Sequence, residues 1–60
     1  MTLPDFVTAA EGELRLQGAA FDRADLERYI TDAWPLVEDN PDVIAWAYAY
    51  IGEGRATVPE

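Results

Sequence analysis

Sixty residues carrying twelve Asp and Glu against four Arg, with no Lys, His, Cys or Ser, give a formal charge of −8. Such a chain excludes disulfides, thiolate or imidazole metal sites and histidine catalysis, and it repels the phosphate backbone and anionic membranes alike. Its apolar share of 50% is too high for a disordered acidic tail, so one small folded domain is expected.

Thr2, Pro4 and Asp5 read as a helix start, with a hydroxyl to cap, a proline in the first turn and a carboxylate near the positive end of the dipole. Leu3, Phe6, Val7, Ala10 and Leu14 then share one side at helical spacing. The stretch "EGELRLQG" weakens this pattern, because Gly12 costs a helix interior about 1 kcal/mol and Leu16 points off the stripe. As a strand, residues 13–17 would place Leu14 and Leu16 on one face and pair with residues 55–59 in a minimal ribbon. The regular stripe before it favours a helix over residues 3–17. The start Met1-Thr2-Leu3-Pro4-Asp5 has no basic opening and no apolar core of a signal peptide, and no run reaches the roughly 18 apolar residues that span a bilayer. A cytoplasmic setting is the expectation.

Asp22 is the cap of a second helix, with Phe21 placed to staple onto Leu26. Leu26, Tyr29, Ile30, Ala33, Trp34 and Val37 keep core-facing spacing, and Arg23, Glu27, Arg28 and Asp32 lie opposite, in Arg23/Glu27 and Arg28/Asp32 pairs. Pro35 disfavours helical geometry at Trp34. The expected helix therefore covers residues 22–34, and "LVEDNPD" is read as a turn.

Asn40, Pro41 and Asp42 open a third helix, predicted over residues 41–51, in which every residue from Val43 to Ile51 is apolar or aromatic. Alternation of period two would put Trp46, Tyr48 and Tyr50 on one face of a strand. The interleaved Ala45, Ala47 and Ala49 favour a helix, which puts Trp46 and Tyr50 together beside Val43. Ile44, Tyr48 and Ile51 then form an adjoining stripe, with Ala45 and Ala49 on the far side. After Gly52 the segment 52–60 reads as a flexible tail.

The fold expected is all-α, a small bundle of three short helices packed through Phe6, Leu14, Leu26, Ile30, Val43, Ala47 and Ile51. The alternative is α+β, with the ribbon from residues 13–17 and 55–59. The inventory of side chains leaves only carboxylates, Thr and Tyr for catalysis, and a domain this small has little interior in which to tune them, so no enzyme and no cofactor is expected. "EDNPD" fails as a calcium loop: counting from Glu38 puts Val43 where the turn requires glycine and Ala49 where a bidentate Glu is required.

Two functional classes remain. A helix apolar nearly all round is normally buried on more than one side, and three elements cover only part of it. Trp46, Tyr48, Tyr50, Ala45, Ala49 and Trp34 are therefore candidate contacts for a protein partner, as a homodimer or larger assembly or as an accessory subunit. No direct binding to nucleic acid or membrane is expected. The alternative is an acidic mimic of nucleic acid, with Glu11, Glu13, Asp22, Asp25, Asp32, Glu38, Asp39 and Asp42 occupying a basic groove.

Overall fold

A computed structural model describes residues 1–59, and these form four helices with no sheet: α1 (Leu3–Leu16), α2 (Arg23–Asp32), α3 (Trp34–Asp39) and α4 (Val43–Gly52). The all-α expectation holds. The Thr2 hydroxyl accepts the Asp5 N–H at 3.3 Å, and α1 runs through Gly12 without a break. Burial of Phe6, Val7, Ala10 and Leu14 along one stripe outweighs the glycine penalty, while Leu16 stands 84% exposed. The strand reading of residues 13–17 is thereby overturned.

Helices α1 and α4 end in the same way. Gly18 and Gly54 adopt φ of 71° and 78°, a left-handed turn that glycine enters without a Cβ clash. At the first, the N–H of Gly18 bonds to the Arg15 carbonyl and that of Ala19 to Leu14; at the second, Gly54 bonds to Ile51 and Arg55 to Tyr50. Each pair is a Schellman closure that satisfies the last free carbonyls of its helix. The stop for α4 is thus Gly54, and Gly52 belongs to the last turn.

These two exits bring the following segments side by side. Ala20 and Thr57 exchange both backbone hydrogen bonds, at 2.8 and 2.9 Å, in one isolated antiparallel bridge. Ala56 is buried beneath it. The tail expected from residue 52 onward is corrected for this stretch: residues 55–57 return to the body, and Thr57 pairs with Ala20 outside residues 13–17.

A second correction concerns "LVEDNPD". Proline is excluded from a helix interior but fits its first turn, where its missing N–H has no partner to lose. Ala33 therefore ends α2 and opens α3, with Pro35 in the first turn and Val37 buried beneath it. The helix expected over residues 22–34 ends at Asp32, and residues 36–39, read as a turn, belong to a further helix that opens at Trp34. The Asp42 carboxylate caps α4 by accepting the Ala45 N–H at 3.1 Å.

The core comprises Phe6, Val7, Ala10, Leu14, Leu26, Ile30, Val37, Ala47, Tyr50 and Ala56. Val43 and Ile51, expected inside it, only flank it, and Tyr50 takes the central place. Trp34 meets Phe6 edge-on at 6.1 Å. The Tyr29 ring stands edge-on to both Trp46 and Tyr50, at 6.4 and 5.3 Å, so it divides the pair expected to stack on each other.

Candidate interaction surface

Helix α4 carries no charged residue from Val43 to Gly52, so its two faces differ only in what covers them. The inner face holds Ala47 and Tyr50, both fully buried, with Val43, Trp46 and Ile51 at its margins. The outer face holds Ile44, Ala45, Tyr48, Ala49 and Gly52, all exposed. Ile44 and Tyr48, four residues apart, are 54% and 58% exposed and form its ridge.

Of the candidate contact residues, Tyr48, Ala45 and Ala49 lie together on this outer face. Tyr50 does not, and its assignment to a partner surface is withdrawn: its ring is wholly buried and its hydroxyl donates to Asp25 Oδ2 at 2.8 Å. Trp46 is half-buried, its indole N–H donating to the Asn40 carbonyl at 2.9 Å. Trp34, also half-buried, lies on α3 against Phe6. Ile44, which is not among the candidate contacts, shares this face with Tyr48 through their i, i+4 relation. Leu36, 66% exposed on α3, carries no such signal in the sequence, where its segment reads as a turn.

The tyrosine hydroxyl explains why so large a ring can be internal. Asp25, in the first turn of α2, receives Tyr50 Oη, Arg55 Nη1 at 3.3 Å and Arg28 Nη2 at 3.5 Å. Arg55 also lies over the Tyr29 ring, 5.1 Å from its centroid. The Tyr50 hydrogen bond above all holds the Asp25 carboxyl below its usual range; burial, the next largest effect, opposes it, and the Arg55 and Arg28 guanidinium groups add to the lowering. Burial first, and then Asp25, push the Tyr50 phenol well above its ordinary 10.0. Tyr29 rises too, chiefly through burial. This cluster fastens α4 and residue 55 to α2.

The arginines are all engaged. Arg15 and Arg23 reach Glu11 at 3.3 Å, Arg23 also reaches Glu27 at 3.2 Å, and Arg28 and Arg55 share Asp25. Arg28 thus selects Asp25, three residues before it, over the expected Asp32. Asp22 and Asp42 are caps, and Glu13 accepts the Gln17 amide. Among the described residues Asp32, Glu38 and Asp39 form no ion pair, and no cation occurs between Arg28 and Arg55.

No group of three acidic side chains is arranged to hold a metal ion among the described residues, and none of their helices is long and apolar enough to cross a membrane. A hollow of about 300 Å³ beside Ala24, Glu27, Arg28, Thr31 and Asp32 is open to solvent on the outer side of α2. No family model, curated protein or solved structure matches the chain.

Proposed function

We propose that the protein is a small docking module, without catalytic activity or cofactor, that engages another protein through the outer face of α4. One observation carries this reading: Ile44 and Tyr48 project from a helix whose ten residues include no charge, although the chain as a whole is strongly acidic. Solubility alone would favour carboxylates on that face. A protruding aromatic beside small residues is the makeup of an interface anchor, since it buries large area at little cost in side-chain entropy. Whether the partner is a second copy or a larger protein to which this chain is an accessory, the same face serves, in a cytoplasmic setting.

Site-specific photo-crosslinking tests this reading. A benzoylphenylalanine placed at Ile44 or Tyr48 is expected to give discrete adducts in the native cell, and the same group at Leu16, also apolar and exposed, is not. A doubling of the 6.7 kDa chain would mark self-association, and any other mass a different partner. Equal labelling from Leu16 and Tyr48 would refute the assignment of α4.

A further inference from the structure

The charges around α4 narrow the choice of occupant, and this step rests on α4 being the docking face. Asp42, Ala45, Ala49 and Glu53 follow at i, i+3, i+7 and i+11, which places the two exposed acids along one border of the face, one at each end of the Ala45/Ala49 strip. At 1.5 Å per residue they stand about 16 Å apart. Glu38 and Asp39, exposed at the end of α3, shortly precede Asp42 in the sequence, and Glu53 at the second end adds to the negative pole of the helix dipole. The nearest cation beyond Glu53, Arg55, is held by Asp25.

We infer that the occupant is an amphipathic helix of a different protein, apolar along one side and carrying a Lys or Arg near each end of that side. A second copy presenting its own α4 meets a like charge at both ends in either orientation: Asp42 faces Asp42 and Glu53 faces Glu53 when parallel, and Asp42 faces Glu53 twice when antiparallel. Like charges set opposite each other disfavour the pairing, whereas cations at those positions favour it and steer the approach. The exposed Ala45 and Ala49 leave room for a helix backbone to come close, with Tyr48 and Ile44 as the wedge beside it. This surface also repels anionic lipid and nucleic acid, leaving a cationic protein segment as the complementary chemistry.

The test uses the full chain, immobilised, against displayed twelve-residue helical peptides with a fixed Leu/Ala face and end positions varied between Lys, Gln and Glu. Selection is expected to enrich Lys at both ends roughly fivefold to tenfold over Glu at low salt, as two exposed ion pairs allow, and the bias should collapse at 0.5 M salt. The variant carrying Asp42→Asn and Glu53→Gln, which keeps a competent cap at position 42, should bind the Gln-ended peptides as before and lose the bias. Enrichment without a charge preference, or a concentration-dependent dimer in sedimentation that Tyr48→Ala abolishes, would overturn the cationic partner and leave the docking face standing. Failure of any peptide to prefer the natural chain over its Tyr48→Arg variant would remove the docking face, and this inference with it.

Discussion

Tyr50→Phe isolates the hydroxyl that lets an aromatic ring occupy the centre of the core. Phenylalanine keeps the fully buried ring and its edge contact with Tyr29, so no cavity opens. What is lost is one O–H donated at 2.8 Å to the carboxylate of Asp25. A hydrogen bond to a charged group contributes about 1.5–3 kcal/mol when both partners are enclosed. Here the acceptor side chain is 30% exposed and keeps Arg28 and Arg55. Water can take the vacated position, and the expected loss for the Tyr50 hydroxyl falls to about 1 kcal/mol. For a chain of this length that is a shift of about 4–8 °C in Tm, and a sizeable part of the roughly 3–5 kcal/mol a core this small supplies. Urea unfolding followed by circular dichroism at pH 7 measures it. The folded protein holds Asp25 below its ordinary value of 3.8, so the stabilisation is present above that value and is lost as pH falls through the lower folded one. The difference between the natural chain and Tyr50→Phe should therefore be full at pH 7 and shrink in strong acid. A difference below about 0.3 kcal/mol at pH 7, or one that persists unchanged when Asp25 is protonated, would refute the role given to the hydroxyl.

At the alkaline end the sign reverses. The Tyr50 phenol ionises above its ordinary 10.0 when folded, so its stabilisation is complete below that value and is lost as pH rises past it. Tyr50→Phe should flatten the alkaline decline in Tm, leaving the smaller share due to Tyr29. Two glycines predict opposite outcomes in the same melt: Gly12→Ala, in a helix with open space around it, should stabilise by about 1 kcal/mol. Gly18→Ala, at φ 71°, should destabilise by a similar amount, roughly 1 kcal/mol. Amide hydrogen exchange should show the N–H groups of Ala20 and Thr57 protected relative to that of the exposed Val58, and Thr57→Pro, which removes one donor of the bridge, should release Ala20 as well. Exchange at Ala20 and Thr57 as fast as in an open chain would restore the view of this segment as a loose tail.

Local chemistry in the sequence was enough for much of the fold. Thr2, Asp22 and Asp42 cap helices because a short oxygen-bearing side chain satisfies free N–H groups within its own first turn, a relation spanning two or three residues. The stripe Phe6, Val7, Ala10, Leu14 and the pair Leu26, Ile30 face inward because helical periodicity leaves them no other common side. Periodicity also groups Ala45 with Ala49 and Ile44 with Tyr48 on α4, without fixing which side of that helix is covered. Pro35 was ambiguous: it signals a stop for the helix before it and a start for the one after it, and only the packing of Val37 selects the second.

What the sequence by itself determined was where helices begin and which of their sides are apolar, since both depend on neighbours within a turn or two. Which apolar side is covered was decided by tertiary structure. A helix as uniformly apolar as α4 has no polar stripe to mark its orientation, so Tyr50 turns inward and Tyr48 outward because Asp25, 25 residues away, supplies an acceptor for one hydroxyl and the described residues leave the other side of α4 exposed. The return of residues 55–57 has the same origin. Gly18 and Gly54 each only permit a turn, and the Ala20–Thr57 bridge forms because α1 and α4 pack together and point both exits to the same place.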